Sequence, residues 1–210
     1  MKKKILMALA LIGCAVVLVA GTIAGTVAYL TSTSGTLKNT FTVGNVSITM
    51  DEAKVNVYGE QDGAIRVSGS ADDAVANTYK LIPGHTYVKD PTIHVAAGSE
   101  ACYLFVKVEN GISAIEATGA TIEAQMTANG WKSLANDIWY KEAAVDARNA
   151  AQDVAVFSTF TLATDADLDG DPDYSAAVVK VTAYAVQADG FTTATAAWGA
   201  TFGAPANPES

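Results

Sequence analysis

The chain has 210 residues, half of them hydrophobic, and its 22 acidic and 13 basic residues give a formal net charge of −9. An acidic surface repels nucleic-acid phosphates and anionic membranes, so neither is an expected partner of the folded part. This length suffices for one domain with an ordinary hydrophobic core.

The N-terminus has the three parts of a secretory signal peptide. Lys2, Lys3 and Lys4 form a positive start, residues 5–30 carry no charge, and the apolar run ends in small residues. We expect residues 1–28 to form an apolar signal helix that a signal peptidase removes after Ala28. The uncleaved segment would be the only membrane contact.

Two alternatives to cleavage after Ala28 remain open. About 20 apolar residues can also span a bilayer and serve as a permanent anchor. In addition, the sequence LIGC at residues 11–14 fits a lipidation site at Cys14, although the chain stays apolar for about ten residues beyond it.

Removal of the signal peptide makes the remaining chain more acidic and leaves it with one cysteine. Three lysines leave with it and no acid does, so the net charge falls from −9 to −12. Cations and other proteins are the partners that such a surface favours. Only Cys102 remains, which excludes an intramolecular disulfide.

The first half of the chain reads as short strands separated by turns. Residues 31–40 are polar and rich in Thr and Ser, and we expect the segment 29–40 to be flexible. Alternating apolar and polar residues, or short apolar runs bounded by turn signals such as Pro83-Gly84, then predict strands. These predicted strands cover residues 41–43, 46–50, 54–58, 64–67, 79–82, 85–89, 92–95 and 102–108.

The second half adds a little helix to the strand pattern. Apolar residues near helical spacing predict one short helix within 112–128, and an Ala- and Thr-rich stretch suggests another at 191–198. A hairpin at 130–141 and strands at 154–162 and 177–187 complete the pattern, and 204–210 reads as a disordered tail. Residues 41–203 are therefore predicted to form one all-β domain, an antiparallel β-sandwich or jelly roll with one or two short helices.

Enzymatic chemistry has little support in the sequence. The chain contains no HExxH zinc motif, and its two histidines, His85 and His94, lie nine residues apart in strand-like segments. It contains no GxSxG motif, and Cys102 lies in an apolar strand where a thiol is inert. We therefore expect no catalytic site.

One stretch resembles a metal-binding loop. Asp165, Asp167, Asp169, Asp171 and Asp173 alternate around Gly170, which matches positions 1, 3, 5, 6, 7 and 9 of an EF-hand calcium loop. The match fails at position 12, which is Ala176 instead of a bidentate glutamate, and the flanks read as strands. These five aspartates are a candidate calcium site, and the alternative is a solvated acidic loop.

Several segments resemble the TasA/camelysin family of exported proteins from Gram-positive bacteria. They follow the family order from end to end and cover about a third of the chain. They are GTVAYLT (25–31), NTFTVGNV (39–46), LIPGHTYVKDP (81–91), ACYLFVKV (101–108) and AYAVQA (183–188) before Gly190-Phe191.

The resemblance implies a function that the residues alone do not. It implies a jelly-roll domain that is exported, cut by a dedicated signal peptidase, and built into extracellular fibres of the biofilm matrix with itself or with related matrix proteins. In such fibres the freed N-terminal segment adds a strand to its neighbour, so residues 29–40 are the candidate donor strand. Some family members are described as metalloendopeptidases, which gives the alternative function, and a monomeric surface protein is a third interpretation.

Overall fold

A computed structural model describes residues 31–34, 45–68, 77–135, 137–168, 174 and 177–203; for 31–34 it describes the backbone only. The predicted signal segment 1–28 and the tail 204–210 lie outside these residues. The same holds for most of the segment 29–40. In the described part of the chain, no helix is long and apolar enough to cross a membrane.

Strands dominate the described residues, as the sequence predicts. Two α-helices accompany them, α1 (Ile122–Ala128) and α2 (Ala194–Phe202), with a 3₁₀ turn at Ser113–Ile115. The strands are β1 (Thr31–Ser34), β2 (Ile48–Val55), β3 (Gln61–Ser68), β4 (Thr86–Val88), β5 (Thr92–Val95), β6 (Cys102–Asn110), β7 (Trp131–Ala135), β8 (Ile138–Lys141), β9 (Gln152–Ala155), β10 (Thr159–Thr161) and β11 (Val179–Gln187).

All strand pairs are antiparallel, and the strands form two larger sheets and one pair. The first sheet has the order β1-β11-β6-β8-β7 and the second has the order β3-β2-β5-β9. Strands β10 and β4 pair separately. The predicted all-β antiparallel architecture is confirmed at this level.

The main core lies between the two larger sheets. In β6, Cys102, Leu104, Val106 and Val108 are buried in one cluster, as the period-2 alternation predicts. The same cluster contains residues of the second sheet, including Ile48, Ile93 and Val95. Burial of this shared cluster holds the two sheets together.

The opposite face of the first sheet is also covered, which a simple sandwich pattern does not predict. Tyr103 and Phe105 of β6 are buried there in a second cluster, against Ala194, Ala197 and Trp198 of α2. Thr193 caps this helix, because its side chain accepts a hydrogen bond from the Ala196 N–H. Strand β6 is therefore buried on both faces.

The predicted strands differ from the observed ones in three regions. Strand β2 is continuous through Asp51 and Glu52, because their carboxylates are paired with Arg66 and Lys89. The predicted strand 154–162 is two strands in different sheets, since consecutive buried residues at 156–157 interrupt the alternation. Residues 79–82 form no strand. They make isolated backbone hydrogen bonds instead of a ladder, such as the one from the Lys80 N–H to the Val57 carbonyl at 2.7 Å.

Candidate functional site

The edge of the first sheet bears directly on the predicted donor segment. Strand β1 pairs with β11 of the same chain, with Thr31 opposite Val186 and Ser34 opposite Ala183. The sequence predicts that residues 29–40 are flexible, whereas these four residues form a strand within their own chain. They are compatible with a strand, as their Thr and Ser content suggests.

The strand that receives β1 is firmly held. Strand β11 pairs with β6 over nine residues, from Val179 opposite Asn110 to Gln187 opposite Cys102. On one face Ala183 and Ala185 are fully buried in the main core, and on the other Tyr184 packs edge-on against Trp198 at 5.7 Å. This edge is therefore a fixed template for one further strand.

Strand β1 covers only part of that template. Its four residues lie opposite residues 183–186 of β11. Among the described residues, no strand lies beside the outer edge of 179–182. An extended segment longer than four residues would therefore find additional backbone N–H and C=O groups along this edge.

The structure describes only the beginning of the candidate calcium site. Asp165 and Asp167 are exposed in the turn that follows β10. Asp169, Asp171 and Asp173 lie outside the described residues, so the structure does not test whether the five carboxylates converge. Tyr174, directly after them, is buried in the main core and anchors the end of this loop.

The two histidines make separate contacts. The ring of His85 lies 2.8 Å from the Tyr58 carbonyl through Nε2, whereas His94 contacts two carboxylates on the second sheet. Within the described residues, no group of three His, Cys, Asp or Glu side chains could hold a metal ion. Cys102 is fully buried, and burial raises the pKa of its thiol to about 12.

An ion network crosses the second sheet near His94. Arg66 on β3 contacts Asp51 on β2 at 2.5 Å and Asp90 at 2.9 Å. His94 on β5 lies between Asp51, 3.0 Å from its Nε2, and Asp153 on β9, 2.7 Å from its Nδ1. The Asp153 contact is an aligned hydrogen bond, whereas Nε2 meets Asp51 outside hydrogen-bond geometry and forms an ion pair.

The network shifts the protonation of its members. Partial burial lowers the pKa of His94, but Asp51 and Asp153 outweigh burial and raise it above 6.5. Burial also opposes ionisation of Asp51, yet His94 and Arg66 bring its pKa below 3.8. The sequence alone did not reveal this network, although the register of alternating residues on adjacent strands is the signal that could have.

No protein-family model, curated protein or solved structure matches the chain. The edge of β11 is therefore the feature on which we base a function.

Proposed function

We propose that this protein is a secreted structural protein of the cell surface or biofilm matrix that self-assembles by N-terminal strand donation. Cleavage after Ala28 frees residues 29–40, and part of this segment then pairs with β11 of a neighbouring copy. The observation that carries the proposal is the pairing of β1 with the outer edge of β11.

A strand that pairs within one chain can pair in the same register with another copy. The backbone hydrogen bonds and the opposing residues are identical in both cases, so the exchange costs few contacts. Each copy then offers one donor segment and one acceptor edge. Such head-to-tail contacts do not close and therefore yield filaments.

The described residues give no support to the alternative of a metalloendopeptidase. The described residues hold no cluster of metal ligands, and the buried Cys102 is unsuited to nucleophilic catalysis. The resemblance to the TasA/camelysin family implies both functions, and the edge of β11 agrees with the fibre function that it implies. We also propose that the two antiparallel sheets around their shared core are a jelly roll, the fold which that resemblance implies.

The first test compares two chain lengths. A chain that starts at Tyr29 should polymerise, and one that starts at Thr40 should remain folded and monomeric, as measured by light scattering with circular dichroism as the folding control. Equal behaviour of the two chains would contradict strand donation. N-terminal sequencing of the exported protein tests the processing step, which should give a mature chain that begins at or next to Tyr29.

A second test keeps the chain length constant. Successive residues of a strand direct their N–H groups to opposite sides, so the double substitution Ser32→Pro and Thr33→Pro must remove one donor from the ladder. We expect this variant to lose polymerisation. The matched control places two prolines at Ala206 and Asn207, outside β1, and should polymerise like the unmodified chain.

A further inference from the structure

Glu52 on β2 holds an amine and an amide on the two oxygens of one carboxylate. Lys89 Nζ lies 2.7 Å from Glu52 Oε2, and Asn77 Nδ2 donates to Glu52 Oε1 at 2.8 Å. The Lys89 and Glu52 side chains are only 11% and 9% exposed, and Asn77 is 7% exposed. A buried ion pair is costly to desolvate, so it is weak as a purely stabilising device.

The fold brings these three residues together where the ladder between β2 and β5 ends. The last pair of that ladder is Asp51 opposite Thr92, and the next residue of the chain before Thr92 is Pro91, which has no N–H to donate. The side chain of Asp90 takes the place of a backbone partner, because its Oδ1 accepts a hydrogen bond from the Ala53 N–H at 2.6 Å. This contact fixes the adjacent Lys89 above Glu52.

Asn77 is fixed on the same strand by its own amide. Its Oδ1 accepts a hydrogen bond from the Val55 N–H at 3.0 Å, and its Nδ2 donates to the Ala53 carbonyl at 2.9 Å. The Val55 N–H draws electron density from the amide carbonyl, as a donor does in an oxyanion hole. The amide carbon Cγ of Asn77 is thereby polarised toward nucleophilic attack.

Tyr79 forms part of the wall of this cluster. Its ring packs edge-on against Tyr87 at 5.7 Å and against Phe160 at 5.0 Å. Burial, followed by the charge of Glu52, raises the pKa of its hydroxyl, so this group stays protonated. The ring packs against the main core.

From this arrangement we infer that Lys89 and Asn77 form an intramolecular isopeptide bond, with Glu52 as the group that transfers protons. Glu52 accepts a proton from the Lys89 ammonium, and the neutral Nζ attacks Cγ of Asn77. The new N–C bond forms while the Val55 N–H stabilises the oxygen of the tetrahedral adduct. Glu52 then passes this proton to Nδ2, and the Cγ–Nδ2 bond breaks. Nζ loses its second proton to Glu52, which hands it to the departing ammonia, so that an ammonium ion leaves and a neutral secondary amide remains.

The reaction is balanced without an oxidant or a cofactor. The ammonium of Lys89 and the primary amide of Asn77 become a secondary amide and an ammonium ion. No electrons are lost or gained, and the net charge of the system is unchanged. Both groups contact the same carboxylate of Glu52, and this shared contact is what would bring them together and supply the rate advantage that an amide of ordinary reactivity needs.

The bond would serve a function independent of strand donation. It would fasten the segment that enters the core at Asn77 to the segment that leaves β4 at Lys89, both over β2. Such a bond cannot be reduced. It suits an exported domain in which Cys102, the only cysteine outside the signal segment, is buried and free.

Mass spectrometry of the folded full chain tests the inference directly. The intact mass should be about 17 Da, one ammonia, below the value calculated from the sequence of the same chain. Trypsin should fail to cut after Lys89, so residues 67–80 should appear joined to residues 81–107. A folded protein with the full calculated mass and a free peptide 81–89 would overturn the inference and leave a simple buried ion pair.

Two conservative variants separate the isopeptide bond from other losses of ammonia. Glu52→Gln retains the shape of the side chain but cannot accept the proton, and Lys89→Arg retains the charge but not the amine; both should show the full mass. A loss of ammonia that persists in Lys89→Arg would indicate a cyclic imide at Asn77 and would also overturn the inference. Lys107→Arg, at a partly exposed ion pair elsewhere on the sandwich, is the matched control and should retain the bond.

Discussion

Nδ1 of His94 donates a hydrogen bond to Oδ1 of Asp153 at 2.7 Å, and this contact joins β5 to the edge strand β9. The other ring nitrogen lies 3.0 Å from a carboxylate oxygen of Asp51 on β2. Carboxylates on both sides favour the protonated ring. Three neighbouring strands of the second sheet are therefore linked through one imidazole ring.

We predict that this link weakens as the pH rises from about 6 to 9. The pKa of His94 is raised above its ordinary 6.5, so its contribution to stability is complete below that value. The contribution is lost as the pH rises through the pKa of the folded state. The free energy of unfolding of the native chain should therefore fall relative to that of His94→Gln over this range, as measured by urea denaturation at a series of pH values.

Asp153→Asn provides the matched control for the His94 prediction. This change removes one of the two carboxylates but keeps the imidazole, so the pH-dependent difference from the native chain should be smaller than for His94→Gln. The contribution of Asp51 to stability changes in a different pH range. Because its pKa is lowered, that contribution is lost only as the pH falls below about 3.8. Parallel stability curves for the native chain and His94→Gln between pH 6 and 9 would contradict the prediction.

A second prediction concerns Gly59, which lies against Tyr87. Gly59 has φ of 74°, and a Cβ atom there would lie 2.7 Å from Cδ1 and 2.8 Å from Cα of Tyr87. Tyr87 is fully buried, so its ring cannot move aside freely. Gly59→Ala should therefore be strongly destabilising in thermal or chemical unfolding.

Gly63→Ala separates the two causes of that destabilisation. Gly63 has a similar φ of 63° but no heavy atom within 4 Å of the added Cβ. It should suffer only the backbone cost of about 1–2 kcal/mol for a left-handed conformation. Gly59→Ala should exceed it by about 1–3 kcal/mol because of overpacking. Equal losses for the two variants would show that the space beside Tyr87 is not limiting.

Strands in which apolar and polar residues alternate regularly were predictable from the sequence. Burial that depends on elements distant in the chain was not. The burial of Cys102, Leu104, Val106 and Val108 followed from the period of β6 alone. The burial of Phe105 on the opposite face depends on α2, almost 90 residues later in the chain, and no local pattern contains that information. The ring centroids of Phe105 and Trp198 lie 5.0 Å apart.

Charged residues produced the remaining differences. Glu52 interrupts an apolar pattern, so the sequence predicts a break where β2 in fact continues. The strand tolerates this carboxylate because Lys89 and Asn77 reach it from distant segments. Of the candidate site, the acidic stretch was recognisable from its spacing, but the convergence of Asp51, Arg66 and His94 arises only from the strand register.

The third prediction is weak calcium binding by Asp165, Asp167, Asp169, Asp171 and Asp173. Clustered carboxylates repel one another, and a cation relieves that repulsion. We expect a Kd of about 10⁻⁴–10⁻³ M, as in extracellular calcium modules, measured by calorimetric titration. Asp167→Asn with Asp169→Asn should abolish the heat, while Asp146→Asn, in an exposed turn with Arg148, should leave it unchanged. No heat and no gain in melting temperature at millimolar calcium would favour a solvated acidic loop.

The fourth prediction distinguishes pairing of β1 within a chain from pairing between chains. Ser32 lies directly opposite Ala185, and cysteine is a small change at both positions. Opposing residues of antiparallel strands are close enough for many such pairs to form a disulfide. Because Ala185 is as fully buried as Cys102, every chain in this test also carries Cys102→Ala, so that the native thiol cannot compete.

The decisive experiment mixes two chains that both start at Tyr29 and both carry Cys102→Ala, one with Ser32→Cys and the other with Ala185→Cys, so that each contains a single cysteine. If β1 is donated to a neighbour, oxidation of the mixture should yield a disulfide-linked heterodimer in high proportion, visible on a non-reducing gel. The control replaces Ser32→Cys with Ser158→Cys, an exposed position remote from β11 in the strand order, and should give only background dimer. If the mixture gives no more heterodimer than the control, while the double variant forms the bond within one chain, then β1 closes its own sheet and strand donation is wrong.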